Sequence, residues 1–171
     1  MEHIKTYENF PLRIAVFSNI VSLSIYTIGI YVLAGFGILF LAAYLIYCLW
    51  LEARLLMGSC VNCYYYGRVC AFGKGRLCSL LFRKGDPKKF TAAEISWRQI
   101  IPDFLVFIIP LAGGALFLVG NFSWLLAVLL AVLAILSFGG TAFVRSSYAC
   151  KYCRQRELGC PAQKLFSQKK R

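Results

Sequence analysis

The chain has 171 residues, of which 60% are apolar and 15% charged, with a mean hydropathy of +0.67; an ordinary soluble domain is about 25% charged. Nineteen basic and 7 acidic side chains leave a net charge of +12. These values exclude a disordered chain, a disulfide-stapled secreted miniprotein and a conventional soluble enzyme.

No Asp, Glu, Lys, Arg or His occurs in the 38 residues from Ile14 to Leu51, or in the 41 from Phe104 to Val144. A spanning helix needs roughly 20 apolar residues, so each run holds two. Ala34-Gly35-Phe36-Gly37 breaks the first run and Gly120-Asn121-Phe122-Ser123 the second. The pattern predicts helices over 14–33, 38–56, 103–119 and 123–144. A secretory signal peptide has one short apolar core before its cleavage site; here the apolar stretch continues into a second helix, so the first run is read as mature protein. The expected fold class is an all-α integral membrane protein with four transmembrane helices, arranged as two repeated helical hairpins under a cytoplasmic cysteine-rich metal-binding cap. Residues 1–171 form a single membrane domain: a hairpin over 14–56, a cysteine-rich loop with an interfacial helix over 57–102, a second hairpin over 103–144, and a basic cysteine-rich tail over 145–171.

In the first helix Ser18, Asn19, Ser22, Ser24 and Thr27 are expected to bond to neighbouring helices. Small residues at Ala127, Ala131 and Ala134, and in Ala112-Gly113-Gly114-Ala115, suit close helix packing. Pro110 reads as a kink that a membrane helix tolerates. With no ionisable group deep in the spans, a proton-coupled pump is disfavoured.

All nineteen basic residues fall in Lys5–Arg13, Arg54–Arg98 and Arg145–Arg171. Four spans put these three segments on one side, and the positive-inside bias makes that side the cytoplasm, with both termini on the cytoplasmic face of the inner membrane. Trp50 and Trp97 suit the inner interface and Trp124 the outer one. Asp86-Pro87 opens a turn, and Thr91 with Glu94 forms a capping box for an interfacial helix that shows Ala93, Trp97 and Ile101 on one face.

The cysteines carry the chemistry. Cys48 lies within a span and reads as a small buried hydrophobe. Cys60, Cys63 and Cys70 are spaced C-x2-C-x6-C, as are Cys150, Cys153 and Cys160, with Cys78 an extra in the first copy. Each triplet follows a hairpin, which suggests duplication and a site where the halves meet. Cytoplasmic thiols stay reduced, so metal ligation is preferred over disulfides: two thiolates two residues apart grip one ion from a tight turn. Zinc is the expected ion and an iron–sulfur cluster the alternative; Cys60, Cys63, Cys70 and Cys78 also make a complete four-thiolate set by themselves. The alternative functions are electron transfer by an iron–sulfur cluster at the inner membrane face, soft-metal handling and thiol–disulfide exchange.

The double C-x2-C-x6-C resembles the binuclear zinc cluster of fungal transcription activators, over Cys60-Val-Asn-Cys63 to Cys70-Ala71 and Cys150-Lys-Tyr-Cys153 to Cys160-Pro161. The resemblance implies two zinc ions held by six cysteines, with Cys60 and Cys150 as bridging thiolates. Here 79 residues separate the triplets where that family has a short loop, so DNA binding is not carried over.

Arg68, Lys74, Arg76, Lys151, Arg154 and Arg156 lie beside the cysteines, where they offset thiolate charge and meet anionic lipid headgroups. Gly67 to Gly75 has the wrong glycine spacing for a P-loop and reads as a flexible loop that returns Cys78 to its set. Tyr64, Tyr65 and Tyr66 read as interfacial anchors. His3 is the only histidine and reads as solvated, so no hydrolytic constellation exists. Zinc-finger acyltransferases also place cysteines between spans, but their Asp-His-His-Cys run is absent. The expected function is a non-catalytic metal-binding scaffold or subunit of a membrane complex. Its expected partners are the lipid bilayer, anionic headgroups and a membrane-complex partner or second copy, without nucleic acid.

Overall fold

The computed structural model describes residues 6–93 and 96–161, whose regular elements are helices. The expectations for His3, Glu94 and the Trp97 side chain lie outside what is described. In chain order the helices are α1 (Leu12–Ala34), α2 (Ile38–Gly58), α3 (Lys74–Leu81), α4 (Pro87–Ala92), α5 (Trp97–Gly120) and α6, which begins as Trp124–Ala134. The last helix continues through the π-turns Ile135–Gly140 and Val144–Ala149, with an α-turn between them, so it outruns the expected end at 144. Four helices are long and apolar enough to cross a membrane: Leu12–Ala34, Ile38–Asn62, Arg98–Gly120 and Trp124–Ala149.

The first hairpin turns at Gly37, whose φ of +111° is open to glycine and costly for other residues. α1 is the central helix and packs against α2, α5 and α6. Its buried stripe, Ala15, Ser18, Val21, Ile25, Gly29 and Val32, repeats every three or four residues, as one helical face requires. Leu133, Phe107 and Leu51 close the core around it. The outward surface is apolar too: Leu39, Leu116 and Val119 are 76%, 72% and 89% exposed. A water-soluble exterior does not carry so continuous an apolar surface, whereas a lipid-facing one does.

One polar contact inside the bundle explains three sequence features together. Pro110 has no N–H, so the Val106 carbonyl four residues earlier loses its helical donor. The Tyr44 hydroxyl on α2 donates to that carbonyl at 2.8 Å. To reach it, the ring passes over α1 at Gly29, where a Cβ would sit 2.3 Å from the Tyr44 oxygen. One turn nearer the cysteines, Tyr47 donates to the Pro102 carbonyl at 2.7 Å. Pro110 is thus accommodated by a neighbouring helix's hydroxyl.

Three expectations change here. The polar residues of α1 bond mainly to their own helix: Ser18 to the Ile14 carbonyl and Ser22 to that of Ser18. A short hydroxyl side chain satisfies itself most cheaply on the preceding turn. Asn19 is the exception, donating to Ala15 at 2.7 Å and across to the Phe72 carbonyl at 3.1 Å. Next, the alanine stripe of α6 is not its packing face. Ala131 is exposed, whereas Leu126, Leu130 and Leu133 are buried. The small partner sits on α5, where Gly114 receives Leu130: an added Cβ would meet that side chain at 2.5 Å. One hollow on one helix is enough for a leucine on the other. Finally, Thr91 does not open a helix but lies near the end of one. Asp86 caps α4 by accepting from the Lys88 N–H at 2.9 Å, with Pro87 at the favoured first position. The Thr91 hydroxyl donates back to Lys88, and Ala93 is extended. Ile101 therefore belongs to the start of α5 itself.

Candidate functional site

Both cysteine segments lie at the same end of the bundle, beyond α2 and α6. The first opens with a 3₁₀ turn, Cys60–Asn62, in which the Cys63 N–H bonds to the Cys60 carbonyl at 3.3 Å. The second repeats the contact, Cys153 N–H to Cys150 carbonyl at 3.5 Å, and then forms a 3₁₀ turn over Arg154–Arg156. In each case a C-x2-C pair is folded back on itself by one tight turn.

The expected glycine loop covers residues 67–73 and ends in a helix start. Gly67 and Gly73 take positive φ values of +76° and +69°, and α3 begins at Lys74 and carries Cys78. Gly75 is hemmed in by backbone, since a Cβ would come within 2.2 Å of the Tyr65 carbonyl oxygen. Its N–H donates to Cys70 Sγ at 3.4 Å. Cys78 is fully buried and donates to the Leu56 carbonyl at 3.7 Å, one turn before Cys60. Cys60, Cys70 and Cys78 are thereby gathered around the α2 terminus.

The two segments dock through residues whose importance is not visible in the cysteine spacing. Gln155 is 4% exposed, and its Oε1 accepts from the Tyr64 N–H at 2.8 Å and from the Cys63 thiol at 3.8 Å. Tyr65 is buried rather than anchored in an interface. Its hydroxyl donates to the Tyr7 carbonyl at 2.6 Å and accepts from the Arg154 N–H at 3.0 Å. Tyr66 likewise turns inward to donate to the Phe82 carbonyl at 2.7 Å. The N-terminal segment then straps both segments together. The Phe10 N–H reaches Val69 at 2.9 Å, the Tyr7 N–H reaches Tyr152 at 3.0 Å, and Tyr7 lies beside Cys153 in a parallel bridge. Around this junction Tyr7, Phe10, Tyr65 and Tyr152 form a chain of ring contacts with centroids 5.3–5.5 Å apart.

Basic residues take defined partners. Lys74 reaches both Glu52 carboxylate oxygens, at 2.6 and 2.8 Å, and the Tyr26 hydroxyl donates to the same carboxylate at 2.7 Å. Arg154 pairs with Glu8, and Arg68 and Arg154 both lie over the Tyr64 ring, at 4.8 and 5.4 Å. Glu52 could have been singled out in the sequence: an acid ending a long apolar run in a strongly basic chain needs a cation close by.

All eight cysteines are free thiols. Cys48 is buried in the bundle core, as expected. Burial pushes the Cys63 thiol up to about 11, opposed by a backbone N–H bond and reinforced by the nearness of Cys153, Cys70 and Cys160. Cys153 is raised chiefly by burial, with Cys150 and Cys160 nearby adding to it. Cys150 is raised by burial and eased by Arg145 and Arg156. Cys78 is raised by burial and then by Cys70. The cysteines of both segments therefore lie at one end of the molecule. Among the described residues, no three His, Cys, Asp or Glu side chains are drawn in tightly enough to hold a metal ion as they stand. No family model, no curated protein and no solved structure matches this chain.

Proposed function

We propose that this is an integral membrane protein whose two cysteine segments form a metal-binding cap, with zinc as the ion, and that it serves as a non-catalytic scaffold or subunit of a membrane complex. The four apolar helices and their apolar exterior support insertion in a bilayer. The basic residues flanking the cysteine segments favour the cytoplasmic side for this end, against anionic headgroups of the inner membrane.

The observation that carries the metal reading is the docking of two segments far apart in sequence, through Gln155 on Tyr64 and Cys63, and Tyr65 on Arg154. It brings seven thiols to one end of the molecule, with cations among them. Without an ion the thiols have no reason to converge further, because closer thiolates repel until a cation is present; metal binding releases protons and draws the ligands in. Structural zinc then contributes directly to folding energy.

Protein purified without oxygen is expected to be colourless and to contain zinc by elemental analysis. Brown protein with visible charge-transfer absorption replaces zinc by an iron–sulfur cluster in the same cap. A metal-free, fully folded protein overturns the reading.

A further inference from the structure

After Cys63 the first cysteine segment does not stay beyond the end of the bundle. The Phe72 carbonyl accepts from the Asn19 amide on α1 at 3.1 Å, and a Cβ on Gly73 would stand 3.2 Å from the same nitrogen. Asn19 lies about two turns into α1, so the loop reaches about 10 Å past the end of that helix, at 1.5 Å per residue. From there α3 climbs out beside α2 in matching steps. Lys74 meets Glu52, Cys78 meets the Leu56 carbonyl, and beyond the helix the Gly85 N–H meets the Val61 carbonyl at 3.0 Å. The two helices therefore run in the same direction, residue for residue.

The side of α3 turned to the bundle carries the buried Gly75 and Cys78 and the paired Lys74. Leu77, Leu80 and Leu81, spaced i, i+3, i+4, share another side and are 48%, 79% and 62% exposed. They continue the apolar exterior of α2, whose Leu55 and Met57 are exposed in its last turn. Cations follow as soon as the chain leaves that level. Arg83, Lys84, Lys88 and Lys89 are exposed, and among the described residues none has a carboxylate partner. No acidic residue occurs from Gly73 to Gly85, and the Asp86 carboxylate accepts from the Lys88 N–H.

We propose that α3 is a re-entrant element of the cytoplasmic leaflet, with Leu77, Leu80 and Leu81 against acyl chains and Arg83, Lys84, Lys88 and Lys89 on the phosphates of anionic phospholipids. The inference rests on the membrane reading of the four spans and needs no metal. Two observations select lipid as the occupant of this face. Its leucines prolong the surface that α2 turns outward at the same depth, and the cations stand where the chain passes from that depth toward water, as in an interfacial amphipathic segment.

The test uses the full-length protein in nanodiscs of phosphatidylcholine and phosphatidylglycerol. Leu80→p-benzoylphenylalanine is compared with the same substitution at Leu39, which is 76% exposed on α2 and serves as the bilayer control. Illumination is expected to attach lipid at both positions with comparable yield. Replacing Arg83, Lys84, Lys88 and Lys89 together by Ser is expected to lower the phosphatidylglycerol retained after delipidation about twofold or more, counted by mass spectrometry. An unchanged count overturns the phosphate contacts. Lipid attached at Leu39 but not at Leu80, or attachment of Leu80 to a second copy of the chain, overturns the re-entrant element and leaves the spans in the bilayer. Lipid at neither position overturns the membrane reading itself.

Discussion

At the scale of single residues, the cap depends on polar side chains placed where only one partner is available. Gln155 replaces solvent for the Tyr64 N–H and the Cys63 thiol in a site that water does not reach. Gln155→Leu keeps the volume but leaves the Tyr64 N–H unpaired, which costs about 1–3 kcal/mol. Lower thermal stability is therefore expected, along with roughly tenfold weaker metal binding, the usual loss when a group that orients a ligand is removed. Unchanged melting and unchanged zinc affinity would show that Gln155 merely fills space. Tyr65 has the same character with two partners, but its backbone contacts were legible only once both segments were placed. A Tyr-Tyr-Tyr run reads as amphipathic surface, whereas two of its three hydroxyls bond inside the cap.

Between helices, Gly29, Tyr44, Val106 and Pro110 behave as one unit. Glycine on α1 admits the tyrosine of α2, which completes the hydrogen bonding that proline removes from α5. Tyr44→Phe is expected to destabilise the bundle by about 1–3 kcal/mol, measured by denaturant unfolding in detergent. Gly29→Ala is expected to displace the same hydroxyl, so the double variant should lose less than the two single losses added together. Strict additivity would mean that the contact does not couple the helices. The spans themselves were readable because an unbroken apolar run of this length has few other uses. Their packing faces were not: alanine spacing suggested one face of α6, and the leucine that fits Gly114 selected another. The interfacial helix was mistaken for a similar reason, since Thr91 satisfied the capping pattern while Asp86-Pro87 supplied a better helix start.

For the molecule as a whole, four helices apolar enough to cross a bilayer would fix how hairpins, cap and charge are arranged about it. With all seven cap thiols on the basic side, a membrane-impermeant maleimide should label the metal-stripped protein in inside-out vesicles and not in right-side-out ones. A cysteine introduced at the exposed Ile38 or at Gly120, beside the two hairpin turns, should show the reverse. Labelling of the cap from the outside would invert the topology and remove the argument from reduced cytoplasmic thiols.

The amino-acid sequence by itself determined the four apolar helices, the turns between them and the cysteine spacing. Each of these follows from local composition: run length sets a span, glycine permits a turn, and C-x2-C fits one tight backbone loop. It did not determine that the N-terminal segment straps both cysteine segments, that Glu52 holds Lys74 and Tyr26, or that Gln155 joins Tyr64 and Cys63. Those relations join residues tens of positions apart, and no periodicity encodes them. They exist only because the packing of α1 against α2, α5 and α6 brings the two cysteine segments to a single end, where burial leaves each polar group one place to bond.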